Sequence, residues 1–174
     1  MSNEANAPEF SYEIDVGDVG KSGKSFRLAA NEDERRRIAE RLGTPSVEKL
    51  EGEMCVSATK TAIRIEGSIN AELTRECVAS LEPMQERVSE EFDIDFLRAA
   101  PETGGEEEDW ETPEVHEGDA LDLGELLVQQ LSLAMDPFPR KEGATSLAEA
   151  YATPEKISPF AALKEIVGKS DDNQ

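Results

Sequence analysis

Between Thr61 and Arg75 nearly every second residue is apolar: Ile63, Ile65, Ile69, Ala71 and Leu73 fall on one side of an extended chain. Successive side chains of a strand point to opposite faces, so this stripe is that of a β-strand with one wet face. Gly67 interrupts it. A glycine inside a long strand predicts a bulge or bend, and a bent strand can serve two packed sheets or a partly closed barrel. Three other segments alternate in the same way. Phe10, Tyr12, Ile14 and Val16 oppose Ser11, Glu13 and Asp15; Leu50, Met54, Val56 and Ala58 oppose Glu51, Glu53 and Ser57; Val88, Phe92, Ile94 and Phe96 oppose Glu91, Asp93 and Asp95. Strands that are apolar on one face only belong to an antiparallel sheet.

Helix signals are set between these strands. Asn31 with Glu34 predicts a capping box for a helix over 32–42, ended by Gly43 and Pro45. Asp122 with Glu125 predicts a second box, opening a helix whose apolar stripe is Leu123, Leu126, Leu127, Leu131 and Ala134, and Asp136-Pro137 stops it. Ser158-Pro159 starts a third, short helix with Phe160, Leu163, Ile166 and Val167 on one face, closed by Gly168. Residues 139–157 carry weaker signals. The expected fold is α+β: a mainly antiparallel, bent sheet or partly closed barrel, about three helices and a long acidic loop.

Charge divides the chain. The 174 residues hold 39 Asp and Glu against 18 Lys and Arg, a formal net charge of -21. Residues 101–125 contain eleven acids and no Lys or Arg, about half of the excess. Such a block repels itself and resists packing. The chain therefore reads as one domain over 1–174, with disordered ends at 1–8 and 169–174 and an acidic flexible loop at 100–119. Affinity for bare nucleic acid or anionic lipid comes from neutralising phosphate, so direct RNA contact is expected to be weak alone, and a basic partner is the easier expectation.

The N-terminus has neither a basic nor an apolar region of a secretory signal, and no apolar run is long enough to cross a bilayer. Cys55 and Cys77 belong to no Cys-x-x-Cys pair. A cytoplasmic location with two free thiols follows as the simple expectation. Oligomeric state is not written in the pattern.

Gly20-Lys-Ser-Gly-Lys-Ser25 resembles a phosphate loop only superficially. A glycine is needed five residues before Gly-Lys, and Asp15 and Asp18 occupy those positions. His116, the one histidine, has no nucleophile or second ligand at a defined spacing. No catalytic residue, metal ligand or cofactor is assigned. Residues 21–41 carry Lys21, Lys24, Arg27, Arg35, Arg36, Arg37 and Arg41 against four acids. They read either as a solvated helix face with the pairs Arg36–Glu40 and Asp33–Arg37, or as a patch facing RNA phosphate or the acidic loop. Trp110, within Glu106, Glu107, Glu108, Asp109 and Glu111, reads as an aromatic anchor in an arm for a basic partner, or as an uneventful loop residue.

One stretch carries more than periodicity. Ile65-Glu-Gly-Ser-Ile-Asn-Ala-Glu-Leu-Thr-Arg-Glu-Cys-Val-Ala-Ser-Leu-Glu-Pro83, then Glu86-Arg-Val-Ser-Glu-Glu-Phe92, an acidic stretch, Asp122-Leu-Gly-Glu-Leu-Leu-Val-Gln-Gln-Leu-Ser-Leu133 and Ser158-Pro-Phe-Ala-Ala-Leu163 follow one another in order. This order resembles the YceD family, the large ribosomal RNA subunit accumulation proteins of bacteria and plastids. The matching positions include Gly67, Cys77, Leu81, Pro83, Asp122 and Leu123. Many members carry Cys-x-x-Cys where this chain has Cys77-Val-Ala-Ser80, with a second cysteine pair further on. Neither is complete here, so a metal or redox role does not carry over, and Cys77 reads as a small residue continuing the Ile63–Leu73 stripe.

The resemblance implies a non-enzymatic role in large ribosomal subunit biogenesis. The charge adds contact with a basic ribosomal protein or an assembling large-subunit precursor. An acidic module holding a basic non-ribosomal protein is the alternative. A hydrolase built on clustered carboxylates is the weakest reading, because the acids lack a constrained spacing.

Overall fold

The computed structural model describes residues 8–98 and 114–145. In chain order the elements are β1 (Glu13–Asp15), a 3-10 turn (Val16–Asp18), β2 (Lys24–Ala29), α1 (Glu32–Leu42), β3 (Ser46–Ala58), β4 (Ala62–Glu76), β5 (Pro83–Leu97), β6 (Glu114–Val115), β7 (Ala120–Asp122) and α2 (Leu123–Ala134). The main sheet runs β2-β3-β4-β5-β6. Its pairs are antiparallel except β5 with β6, which is parallel; β1 and β7 form a separate antiparallel ribbon.

The α+β class and the antiparallel sheet agree with the alternation. The sheet is open, however, and is not a barrel. Two α-helices stand among the described residues rather than about three; the helix expected from Ser158 lies outside them. Residues 114–119, at the end of the expected acidic loop, are placed: Glu114 and Val115 pair with Phe96 and Leu97, and His116 N–H donates to the Leu97 carbonyl.

One face of the sheet is dry. Met54, Val56, Ile63, Ile65, Ile69, Leu73 and Val88 are buried with Ile38 and Ala39 of α1 and Leu123, Leu127 and Leu131 of α2. Gly52 makes room for α2. A Cβ there would come within 2.6 Å of the Leu127 Cδ1, so glycine lets the helix sit close on β3. The opposite face is formed by polar side chains open to solvent.

Gly67 is not a bulge. Pairing continues through it, Met54 opposite Gly67 and Gly67 opposite Phe92. The missing side chain instead makes room for a ring: a Cβ would meet Phe92 Cζ at 2.6 Å. The irregularity falls at Val47–Lys49, where Glu48 accepts hydrogen bonds from the Ser46 and Thr74 hydroxyls. The first alternating segment also forms less strand than expected. Only Glu13–Asp15 pair, and Val16 turns into the 3-10 segment as Gly17 N–H donates to the Asp15 carboxylate. Strand β2, by contrast, arises inside the basic stretch, where Phe26 and Leu28 reach the core.

Both helix starts are capped, in different ways. Asn31 and Glu34 form the reciprocal box, and Gly43 ends α1 at φ 63°. Asp122 caps α2 through Gly124 and Glu125 N–H, but the Glu125 side chain does not return the bond and reaches Arg41 instead.

Candidate functional site

Asp122 begins as a cap and becomes a junction. One carboxylate oxygen accepts from the backbone N–H groups of Tyr12, Gly124 and Glu125 at 2.9–3.1 Å, and the other accepts from the Ser11 hydroxyl at 2.7 Å. Burial pulls its pKa upward, yet the Ser11 hydroxyl and these amides outweigh it and hold the carboxyl below its ordinary range. Leu123 is fully buried and donates its N–H to the Tyr12 carbonyl. The acidic motif that opens α2 thus fastens the N-terminal segment to the helix.

The next turn fastens α1. Arg41 places both terminal nitrogens 2.7 Å from the Glu125 carboxylate oxygens and a third contact 2.9 Å from Glu9. Arg37 donates to the Glu9 carbonyl, Arg35 to the Ala30 carbonyl, and Arg36 pairs with Asp33 at 2.6 Å. The expected pairs Arg36–Glu40 and Asp33–Arg37 are not formed, because Arg36 turns back one turn and Arg37 reaches across to Glu9.

The seven basic residues do not make one continuous cationic surface. Arg27 sits on the outer sheet face, 2.8 Å from Glu53, whereas α1 covers the dry face. Lys24 lies 5.4 Å over the Phe26 ring. Lys21 is exposed in the turn before β2, where Gly23 takes φ 76°. The arm Glu106, Glu107, Glu108, Asp109, Trp110 and Glu111 lies outside the described residues.

The remaining family-motif positions gather at the β4–β5 turn. Cys77 is buried just past β4 and is not part of the dry stripe. Leu81 adopts φ 59°, a left-handed conformation that is uncommon for leucine, and donates its N–H to the Cys77 carbonyl. Pro83 opens β5, the strand position where a missing N–H is tolerated. The chain leaving α2 closes over this turn. Val78 N–H donates to the Pro139 carbonyl, Lys141 N–H lies 3.3 Å from the Cys77 sulfur, and the Lys141 ammonium pairs with Glu82. Arg75 and Glu86, both little exposed, pair at 2.8 Å and hold Asp136 through its carbonyl and N–H. The Ser80 hydroxyl, then the Lys141 and Ser80 amides, bring the Cys77 thiol down to about 6. Ser80 is three residues on and Lys141 is 64 residues on, and a stripe of apolar residues reveals neither donor.

His116 is half-buried against the Phe96 ring, with Nε2 3.0 Å from the Ala120 carbonyl. Among the described residues no group of three or more His, Cys, Asp or Glu is placed to hold a metal ion, and no helix is long and apolar enough to cross a membrane. Two polar junctions bracket α2: at its start Asp122 and Glu125 tie it to the N-terminal segment and to α1, and past its end Asp136 and Lys141 tie the following chain to the β4–β5 turn.

The family model described as large ribosomal RNA subunit accumulation protein YceD matches residues 65–167, more than half of the chain. The match begins within β4 and takes in β5, α2 and the Cys77–Lys141 junction; of the other junction it takes in Asp122 and Glu125 but not their partners Ser11, Tyr12 and Arg41. No curated protein and no solved structure matches.

Proposed function

The chain belongs to the YceD family of large ribosomal RNA subunit accumulation proteins, and on that premise we propose that it assists assembly of the large ribosomal subunit by holding a basic ribosomal protein or an assembling particle. The observation that carries this reading is the family match across the β4–β5–α2 unit. The charge gives it direction. A surface with a net charge of -21 repels bare phosphate and attracts the cationic tails that assembly leaves exposed.

In this reading the protein performs no chemical step. It works in the cytoplasm, where the subunit is made, with its ordered body as a scaffold and Glu106, Glu107, Glu108, Asp109, Trp110 and Glu111 as an added acidic arm. Most arginines of the basic stretch are engaged within the protein, which leaves Lys21 and Lys24 as the better candidates for local contact with RNA. Crosslinking in cells, followed by identification of both RNA and protein, tests the reading. Large-subunit proteins or precursor RNA as the chief products support it. A chief partner unrelated to ribosomes would replace it with a general acidic holding module.

A further inference from the structure

The sheet has one face that no element among the described residues covers. Four strands present two rows of side chains there: Ser25, Cys55, Glu66 and Asp93, and beside them Arg27, Glu53, Ser68 and Glu91. The side chains of Arg27, Glu53, Glu66 and Asp93 are 83%, 65%, 64% and 69% exposed, so the face is open to solvent. It is also concave. A depression of about 630 Å³ is centred on these rows, and a second of about 460 Å³ shares Arg27, Glu53 and Ser68 and continues along β2 and β3 towards Glu51 and Asn70.

The floor is made of small groups (Ser25, Cys55, Ser68 and the Gly67 backbone), while the larger side chains are charged. Four carboxylates, Glu53, Glu66, Glu91 and Asp93, face two guanidinium groups, Arg27 and Arg64. Arg27 is taken by Glu53. Arg64 is spread over Glu66, Asp93 and Asp95, with no contact shorter than 3.4 Å. Glu91 pairs with no cation among the described residues. The face therefore keeps unused acceptor capacity and an excess of negative charge around a shallow depression.

From this shape and charge we infer that the open sheet face binds an extended Lys- and Arg-rich protein segment. The inference rests on the proposed contact with a basic partner and gives that contact a place on the ordered body, separate from the 106–111 arm. At about 4.8 Å between strands, four strands span roughly 14 Å, which an extended chain crosses in four or five residues. Alternate side chains of such a segment point to the sheet, where guanidinium groups can meet carboxylates two bonds at a time. Phosphate would meet the same four carboxylates and be repelled, so RNA is not the occupant.

The test is an NMR titration of the isotope-labelled full chain with a dodecapeptide alternating Arg and Gly, an RNA oligonucleotide of equal length serving as the comparison. The peptide is expected to shift the amides of Cys55, Glu66, Ser68 and Asp93, and the triple variant Glu66→Gln, Glu91→Gln, Asp93→Gln to bind it at least fivefold more weakly with an unchanged spectrum elsewhere. Shifts confined to the 106–111 arm, equal binding by the triple variant, or perturbation of the same amides by the RNA would overturn the inference. Gradient sedimentation separates it from the biogenesis role. A triple variant that loses the peptide yet still travels with large-subunit precursors overturns the face as the route of contact and leaves the role. A wild-type chain absent from those particles, with the peptide still bound on the face, supports the face and removes the role.

Discussion

Arg41 and Glu125 stand 84 positions apart and meet fork to fork, each terminal guanidinium nitrogen 2.7 Å from one carboxylate oxygen. The pair joins the last turn of α1 to the first turn of α2. Both side chains are about one-third exposed, so solvent screens the pair; its parallel geometry places it near the upper end of surface ion pairs. Arg41→Ala should cost about 1 kcal/mol in urea unfolding. The Arg41 guanidinium is the main cause of the lowered Glu125 pKa. A carboxyl depressed in the folded state contributes stability above its unfolded pKa and loses it as pH falls through the folded value. Glu125→Gln should therefore narrow the gap between neutral and acidic stability, and an unchanged acid limb of the stability curve would count against the pair.

Gly52 and Leu127 give a second prediction. Gly52→Ala places a methyl within 2.6 Å of the Leu127 side chain and should cost about 1–3 kcal/mol through overpacking. Leu127→Ala alone should cost about 2–5 kcal/mol through a cavity. The double variant should be more stable than the sum of the two, because the added methyl enters the vacated space. Simple additivity in equilibrium unfolding would show that the two residues are not in contact.

The two residues also mark how much of the fold can be read locally. The stripes of β3, β4 and β5 and the Asn31–Glu34 and Asp122 caps are legible because each depends on neighbours within a few positions. The role of Gly67 is not, since it depends on which ring stands opposite on β5. A bulge and a ring-filled notch both call for glycine. Phe26, Leu28 and Ala30 do alternate, but β2 is six residues long between a lysine-containing turn and an arginine-rich helix, and a short stripe there is overshadowed by charge. The partners of Arg27, Arg37 and Arg41, and the Lys141 amide at Cys77, lie 26 to 84 residues away, so spacing along the chain carries no sign of them.

Cys77 should titrate near 6 in the folded protein. Thiolate absorbance followed against pH in a Cys55→Ser background would report it alone. The Ser80 hydroxyl is the first cause of the lowered value, so Ser80→Ala should raise the midpoint. The sign for stability is the same as for a carboxylate: the thiolate's contribution is complete above the unfolded thiol pKa and fades as pH falls towards 6. A midpoint unmoved by Ser80→Ala would remove the hydroxyl from this role.

Replacing Glu106, Glu107, Glu108, Asp109 and Glu111 with their amides removes five negative charges at positions outside the described residues. Capture of basic large-subunit proteins from a lysate should weaken, and its dependence on salt should become shallower, because fewer charges are screened. The same affinity and salt slope in the neutralised chain would exclude the arm from the contact.

The most direct test of the central claim is sucrose-gradient sedimentation of lysate from cells carrying the tagged full-length chain, alongside ribosomal RNA measured in cells lacking it. The account predicts that the protein travels with large-subunit precursors and that its loss lowers large-subunit RNA relative to small-subunit RNA. A protein found only among free proteins, with the RNA ratio unchanged by its loss, would contradict it.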